Sequence, residues 1–220
     1  AIRTTAVLDG DEWVINGNKT WITNANICNF AMVVCQTDKS IGTKGLAVII
    51  VDWGTPGFTR APIENKLALR HHDHGQLFFR DCRVPRKNQL GGFGMKAAFE
   101  NVEHTRFGIA CAATGAIQAC LDLSIKYCKE RIQFKKPIGS FQLVQEKIAD
   151  MVVDLESSRW LAYRLAYMKD KKMNVVRETS IAKYHNMEAM ARAARASVEL
   201  HGAYGLSDEY PFERMYRDCM

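Results

Sequence analysis

The chain has 220 residues, of which 47% are hydrophobic and 25% are charged, and 30 basic against 24 acidic side chains give it a formal net charge of +6. This is the composition of a globular protein, and it excludes the disordered, collagen-like and low-complexity classes. The net charge is too small to indicate nucleic-acid binding by itself, and it would equally suit a small-molecule ligand that carries phosphate groups.

The first 85 residues contain short β-rich runs separated by turn residues. Asn16-Gly17 stands between two such runs, and it predicts a hairpin turn because both residue types accept a positive φ at little cost. Short strands at close spacing indicate an antiparallel sheet or barrel and not βαβ units. We predict strands at residues 4–8, 13–15, 19–23, 30–35, 45–51, 57–60 and 76–79.

After Pro85 the apolar residues follow one another at steps of three and four, which is the helical period. Ser207-Asp208 is a candidate N-cap for the last helix. Long helices joined by short loops indicate an antiparallel bundle. We predict helices at residues 95–128, 141–172 and 176–201, with a fourth helix after Ser207-Asp208.

The predicted fold class is therefore α+β, with an antiparallel β-sheet or barrel domain at residues 1–88 followed by an antiparallel four-helix bundle at residues 89–220. The chain opens on Ala1, and it stops at Met220 inside a helical pattern. We therefore expect it to be a fragment of a longer protein.

The seven cysteines include no C-x-x-C pair, which argues against a disulfide scaffold or a zinc ribbon. Buried free thiols in a reducing compartment are the expectation. No uninterrupted apolar run reaches the roughly 18–20 residues of a membrane span, and the start lacks a signal-peptide pattern, so no membrane association is predicted.

Five segments, read in order, resemble the flavin-dependent acyl-CoA dehydrogenase family. They are "DEWVINGNKTWITNA" (11–25), "GFTRAPIENKLALR" (57–70), "FFRDCRVPRKNQLGG" (78–92), "ERIQFKKPIGSFQLVQEKIADM" (130–151) and "HGAYGLSDEYPFERMYRDCM" (201–220). Together they span essentially the whole chain, and two of them look closest to short-chain and glutaryl-type members. The resemblance implies the family's middle β domain and C-terminal helical domain, with FAD as cofactor.

The implied flavin contacts in the β domain are Trp21, Ile22 and Thr23. Trp21 and Thr23 lie two apart on a strand, so their side chains should point to one face. In the family the Trp packs on the isoalloxazine ring and the Thr bonds near its reactive nitrogen. The alternative is that these residues simply line a β core.

The implied FAD contacts in the helical domain surround the turn at Pro137. By resemblance, Arg131 and Gln142 bind the pyrophosphate and adenosine part of FAD, on a neighbouring subunit, and Gln133 and Phe134 belong to the same turn. A guanidinium group makes paired, charge-assisted bonds to phosphate. The alternative is that Arg131 is only part of a solvated helix end.

A second part of the FAD site is implied at Glu199, Gly202 and Ala203, in a glycine-rich stretch that departs from the family pattern. Glu199 replaces the usual Gln, and a carboxylate beside phosphates is unfavourable. Ala203 replaces a Gly, which is tolerable only if this position does not need a positive φ.

The segment Glu103-His104-Thr105-Arg106 corresponds to the family's CoA and acyl contacts, and we expect it on the inner face of the first long helix. The alternative is a buried Arg106 that pairs with Glu103 or another carboxylate. Most members carry their catalytic carboxylate in a segment after the position of Met220, and a minority carry it at the position of Thr105. Threonine is no base at neutral pH, so we assign no catalytic residue to this chain.

The run from His71 to His74 offers four potential metal ligands. Adjacent residues on a turn rarely converge on one ion, so we predict a solvated or interface loop and no metal.

The resemblance implies α,β-dehydrogenation of an acyl-CoA to a trans-2-enoyl-CoA, with electrons passed to an electron-transfer flavoprotein. FAD contacts across an interface would require a homotetramer, a dimer of dimers, and the reducing compartment would be the cytoplasm or the mitochondrial matrix. Basic residues are spread along every helix without a stripe, so no nucleic-acid partner is predicted. An acyl-CoA oxidase, a non-catalytic FAD- or partner-binding homologue, and any acyl chain length stay open.

Overall fold

The computed structural model describes residues 2–94 and 96–220, except for the side chains of residues 97–101. The predicted helical positions Met95 and Phe99 therefore lie outside the described residues and side chains. Contacts between Cα atoms divide the chain into two compact units, Ala1–Asn101 and Val102–Met220.

The first unit is built on a seven-stranded sheet. Its strands are β1 (Thr5–Asp9), β2 (Glu12–Thr23), β3 (Phe30–Gln36), β4 (Leu46–Asp52), β5 (Phe58–Pro62), β6 (His74–Pro85) and β7 (Gln89–Leu90), in the spatial order β5-β6-β2-β1-β3-β4-β7. All neighbouring pairs are antiparallel except β1 and β3, which meet in parallel at Thr5 and Gln36. The sheet is thus mixed, with the predicted antiparallel character along most of its width.

The core of this unit consists of alternate strand residues that point to one side of the sheet. Burial of these side chains removes apolar surface from water, which is the main favourable term in folding. The buried members are Ala6, Trp13, Ile15, Ala25, Val33, Cys35, Ala47, Ile49, Val51, Phe58, Leu77, Phe79, Cys82 and Val84.

The hairpin predicted at Asn16-Gly17 is wrong, because β2 runs through these residues without turning. The Asn16 side chain instead accepts from the backbone N–H of Asp81 at 2.8 Å and donates to its carboxylate at 3.0 Å, at a bulge between β2 and β6. Gly17 has a φ of 133°, and a Cβ there would lie 2.8 Å from the Cα of Thr4. The same preference for positive φ therefore produces a bulge and a close approach of two strands.

The second unit is mainly helical. It contains most of α1 (Lys96–Glu130), then β8 (Ile132–Gln133), β9 (Lys136–Pro137), α2 (Gln142–Asp170), α3 (Val176–His201) and α4 (Phe212–Asp218). The predicted long helices are confirmed within a few residues at each end. The predicted cap at Ser207-Asp208 is wrong, since Ser207 instead ends the 3-10 turn Gly202–Leu206 and Pro211 precedes α4.

Side-chain contacts between helices give the direction of each one. Glu103 of α1 pairs with Lys169 of α2 at 3.6 Å, and the Arg159 guanidinium of α2 donates to Gln118 of α1 at 2.6 Å, so these helices are antiparallel. In the same way, Arg192 of α3 pairs with Asp154 of α2, at 2.7 Å.

Lys147, near the start of α2, also contacts Glu199, near the end of α3, at 2.5 Å, so α2 and α3 are antiparallel to each other. The predicted bundle is thus present as three long antiparallel helices, and its fourth element is a helix of only seven residues.

A fully buried polar residue, Asn186, lies in the middle of the bundle. Its side-chain amide donates to the carbonyls of Ala110 and Ser158 and to the hydroxyl of Thr114, each at 3.1 Å. One side chain therefore connects α1, α2 and α3. Apolar residues around it form two clusters, one of which includes Ile117, Met151 and Phe212 and the other Ala110, Leu165 and Ala182.

The residues Val102–Glu130 of α1 form one helix that is long and apolar enough to cross a membrane by length and composition alone. We expected no segment of that length, since no uninterrupted apolar run is long enough. The helix reaches it because its mean hydropathy stays high even though isolated polar residues interrupt the apolar ones. Such a result is weak evidence, since the core helix of a soluble protein passes the same test. The contacts of Ala110 and Thr114 with Asn186 are those of a packed bundle helix.

Candidate functional site

The predicted residues Trp21, Ile22 and Thr23 form the end of β2. Between Lys19 and Ile22 the register with β6 shifts by one residue, and Trp21 has a φ of 58°. A left-handed backbone at a non-glycine residue costs about 1–3 kcal/mol, and such strain is concentrated at functional sites. The regular alternation of side chains along a strand, from which the sequence prediction was made, does not include this bulge.

The bulge separates these three side chains in their exposure. Trp21 is 61% exposed and Thr23 is exposed, whereas Ile22 packs against the sheet core. The alternative that Trp21 and Thr23 line a β core is therefore wrong. Together with Lys19, Ile22 and Thr23 also line a largely apolar cavity of about 520 Å³ on this sheet.

The start of β6 packs beside Trp21. Here the ring of His74 lies edge-to-face against the indole, with centroids 6.3 Å apart. Residues 62–66 and 70–74 line an open cavity of about 660 Å³, and His71 and His72 are exposed there. Among the described residues, no group of three or more His, Cys, Asp and Glu side chains is arranged to hold a metal ion.

In the second unit, the predicted residues Arg131, Gln133 and Phe134 lie on the exposed hairpin of β8 and β9. Phe134 is 86% exposed, and both Phe134 and Lys135 have left-handed backbones, with φ of 50° and 67°. These angles form the tight turn of the hairpin, where Asn and Gly are the usual residues. The hairpin thus holds an aromatic ring out into solvent at a cost in backbone strain. Gln142, at the start of α2, is exposed as well.

Tyr127 lies between the hairpin and the glycine-rich stretch. Burial raises the pKa of the Tyr127 phenol, and the positive charge of Arg131 opposes this rise. The Tyr127 ring stacks on His201 with centroids 4.0 Å apart. Tyr127 therefore lies beside His201, the residue that precedes Gly202, and within range of the charge of Arg131.

The stretch itself is shaped by two glycines and tolerates its alanine. Gly202 has a φ of 58°, and a Cβ on Gly205 would lie 2.4 Å from the carbonyl oxygen of Val198. Ala203 is not among the residues with positive φ. Alanine is therefore tolerated at position 203, because the backbone there does not need a positive φ.

The carboxylate of Glu199 is neutralised by two cations, which the sequence did not indicate. Glu199 contacts Lys147 at 2.5 Å and Arg195 at 2.9 Å. The hydrogen bond from Lys147, followed by that from Arg195, holds the pKa of Glu199 below its usual value. The group of three side chains carries a net charge of +1, so the carboxylate does not make this surface acidic. These side chains border a cavity of about 440 Å³ between α2 and α3.

The predicted segment on α1 is divided between two faces of the helix. Glu103 is half-buried and pairs with Lys169, whereas His104, Thr105 and Arg106 are exposed. The expected inner-face position is therefore wrong for these three residues, because the buried side chains described on α1 begin only at Ala110. The alternative of a buried Arg106 paired with Glu103 is wrong as well.

All seven cysteines are free thiols, and five of them are buried. Burial raises the pKa of Cys35 to about 12 and the pKa values of Cys82 and Cys120 to about 11. Thiols of this kind are inert, which agrees with a packing role.

Comparisons with known proteins extend over both units. The model of the "Acyl-CoA dehydrogenase, middle domain" matches residues 1–82, and that of the "Acyl-CoA dehydrogenase, C-terminal domain" matches residues 92–220. The glutaryl-CoA dehydrogenase of Desulfococcus multivorans is 41% identical over 223 residues, which cover 100% of this chain and 57% of that protein. The mitochondrial short-chain specific acyl-CoA dehydrogenase of Homo sapiens is 39% identical, over 100% of this chain and 54% of that protein.

A solved structure described as the electron transferring flavoprotein of Acidaminococcus fermentans, on flavin-based electron bifurcation, contains a similar chain. It superimposes with a TM-score of 0.96 and 36% identity, over 100% of this chain and 58% of that one. The chain thus spans little more than half the length of the proteins that it matches.

Proposed function

The chain belongs to the acyl-CoA dehydrogenase family, and from this premise we propose that the full-length protein dehydrogenates an acyl-CoA thioester to a trans-2-enoyl-CoA with FAD as hydride acceptor. Residues 1–88 and 89–220 would form its middle and C-terminal domains. The relatives named glutaryl-CoA and short-chain specific acyl-CoA dehydrogenase support a short or glutaryl-type acyl group.

The observation that carries the proposal is the exposed, strained end of β2. A large indole ring held open at a left-handed backbone position suits a flat aromatic ligand, and a hydroxyl group follows two residues later. Trp21 would pack on the isoalloxazine ring, and Thr23 would donate a hydrogen bond to it. Ile22 would support both from the core side. These residues therefore fit a flavin.

The phosphates of FAD would be bound by the second unit. Arg131 on the exposed hairpin offers a forked cation, with Gln133, Phe134 and Gln142 beside it. Gly202 and Ala203 would let the backbone approach the pyrophosphate. Glu199 would act through the cations Lys147 and Arg195 that it holds.

The substrate would be bound at residues 103–106 of α1. Among these, the exposed Arg106 carries the positive charge that a CoA phosphate or thioester oxygen requires, and the exposed His104 offers a further donor. Thr105 is no base at neutral pH, so the α-proton would be removed by a carboxylate outside these four residues. When bound, FAD supplies the site that takes the β-hydrogen as hydride.

The proposed partners are an electron-transfer flavoprotein as electron acceptor and further copies of the chain. An exposed hairpin that presents Phe134 and Arg131 suits an intersubunit FAD site, and hence a homotetramer. Free, mostly buried cysteines support a reducing compartment, the cytoplasm or the mitochondrial matrix.

The test uses the full-length protein and its Thr23→Val variant. We expect a bound flavin whose visible absorption bleaches when a short acyl-CoA or glutaryl-CoA is added without oxygen. Loss of one hydrogen bond near the reacting atoms should slow bleaching by about tenfold in Thr23→Val. As a matched control, the exposed Thr59→Val on β5 should bleach at the wild-type rate.

The main alternative is a non-catalytic homologue that binds FAD or a partner. The altered glycine-rich stretch and Thr105, which is no base, favour it. Ala203 needs no positive φ and Glu199 is neutralised, so neither change in the stretch argues against FAD binding. A flavin that no acyl-CoA bleaches across chain lengths would support this alternative and refute dehydrogenation.

A further inference from the structure

One residue, His74, lies beside the proposed flavin-binding end of β2: it pairs with Thr23 through the backbone ladder and contacts the Trp21 ring. It is the cross-strand partner of Thr23 at the end of the β2–β6 ladder. Its ring also meets the Trp21 indole edge-to-face, at a centroid distance of 6.3 Å and an interplanar angle of 66°. This geometry is the favourable one for two aromatic rings.

Lys66 fixes the orientation of the His74 ring. Its ammonium nitrogen lies 2.8 Å from Nδ1 of His74, and it also donates to the carbonyl of His72. Nδ1 also lies 3.2 Å from the carbonyl oxygen of His72, which only accepts, whereas the ammonium group only donates; the shorter contact with Lys66 assigns Nδ1 as the acceptor and the ring proton to Nε2. The contact therefore selects one tautomer of a neutral imidazole.

The loop that holds His74 is tied to the end of β2. The carboxylate of Asp73 accepts from the backbone N–H of Asn26 at 2.8 Å and from its side-chain amide at 2.7 Å. The backbone N–H of Asn24 donates to the carbonyl of Asp73 at 2.9 Å. The hydrogen bond from the Asn26 side chain is the main cause that lowers the pKa of Asp73. Because of these bonds, His74 keeps its position relative to Trp21.

Trp21 needs such support. Its ring is mostly exposed and its backbone is in the left-handed region, a conformation that persists only where the surroundings determine it. The His74 ring meets the indole at its edge and leaves other parts of it open. A contact of this kind restricts the indole without covering the surface that a ligand would use.

From this arrangement we infer that His74 is a positioning residue, which orients Trp21 for flavin contact and is itself held in one tautomer by Lys66. The inference rests on the proposed function, since it assigns the Trp21 indole to the flavin. It adds to that function Lys66 and a histidine of the His71–His74 run, which the sequence analysis predicted to be a solvated or interface loop.

The experiment uses the full-length holoenzyme and five single variants. His74→Ala removes the ring, and Lys66→Met removes the ammonium while leaving the ring. Lys66→Arg keeps a donor, and the exposed His71→Ala is the matched control in the same loop. Trp21→Phe, made alone and also combined with each of the other four substitutions, serves for subtraction, so that the indole emission of Trp21 can be isolated in each background.

We expect His74→Ala to slow flavin bleaching by saturating acyl-CoA about two- to tenfold, with KM changed less than twofold. Its bound flavin should also show an altered absorption band, and Trp21 emission should become less anisotropic. Lys66→Met should shift the same readouts in the same direction, Lys66→Arg should restore them, and His71→Ala should match the wild type.

A His74→Ala holoenzyme with wild-type flavin absorption, bleaching rate and Trp21 anisotropy would overturn the inference. An equal change in His71→Ala would do so too, because it would indicate general loosening of the loop. If the wild-type protein holds no flavin, the proposed function fails. The Trp21 anisotropy then still decides whether His74 positions the indole.

Discussion

The glycine-rich stretch after α3 gives a sharp test, because its two glycines are required for different physical reasons. A Cβ on Gly205 would lie 2.4 Å from the Val198 carbonyl oxygen and 2.8 Å from its Cα, and both atoms are backbone. The Gly205→Ala variant must therefore shift the chain at a buried position. Overpacking of this kind costs about 1–3 kcal/mol and occasionally more, so we expect about 3 kcal/mol.

Two other glycines separate this clash from the effect of a methyl group alone. Gly202 has open space around it but a φ of 58° and a ψ of −133°, so Gly202→Ala should cost about 1–2 kcal/mol through strain. Gly108, inside α1 and exposed, has neither problem, and Gly108→Ala should stabilise by about 0.5–1 kcal/mol.

The assay is thermal or urea unfolding followed by the helical circular dichroism signal, which reports mainly on the second unit. The expected order of stability is Gly108→Ala, wild type, Gly202→Ala, Gly205→Ala. If Gly205→Ala were as stable as the wild type, the close packing of the stretch on Val198 would be refuted.

Three further predictions concern the same unit and the cysteines. Ala203→Gly, which adds backbone freedom at a position without positive φ, should lower the free energy of unfolding by about 0.4–1 kcal/mol in urea titrations, and a stabilised variant would contradict this reading. Burial lowers the pKa of His201, so the unfolded chain binds the proton more readily, and stability should fall as pH drops below the unfolded value of about 6.5. Urea midpoints between pH 5 and 8 should depend less on pH in His201→Leu, and parallel pH profiles would refute the assignment. In iodoacetamide labelling of the folded protein at pH 8, the exposed Cys111 should react before the buried Cys35, and mass spectrometry showing the reverse order would argue against the packing.

The long helices were predictable because the apolar residues repeat at the helical period up to the residues that end each helix. The third helix was predicted at residues 176–201 and is observed at Val176–His201. Its end follows from Gly202, whose positive φ stops the helix, and glycine is the residue that accepts such an angle without strain. The apolar period and the glycine therefore indicate the same end for this helix.

Positive φ was a weaker guide within the sheet. Asn16-Gly17 predicted a turn, although the pair forms a bulge against Asp81 and a close approach to Thr4. The sequence preference specifies a backbone angle, whereas the partner strands decide what that angle is used for. The bulge at Trp21 had no sequence signal, since tryptophan rarely adopts a positive φ.

The site residues were placed through resemblance, but their partners were not. Lys147 and Glu199 are 52 positions apart, and Trp21 and His74 are 53 apart. No local pattern links such residues, because their contact is produced by the packing of whole elements.

The most direct test of dehydrogenation is the absorption spectrum of the purified full-length protein before and after anaerobic addition of acyl-CoA substrates. The series should include glutaryl-CoA and saturated acyl-CoA esters of increasing chain length. We expect a yellow holoenzyme whose flavin band bleaches with at least one of them as the enoyl-CoA forms. A protein without flavin, or one whose flavin none of them bleaches, would contradict it.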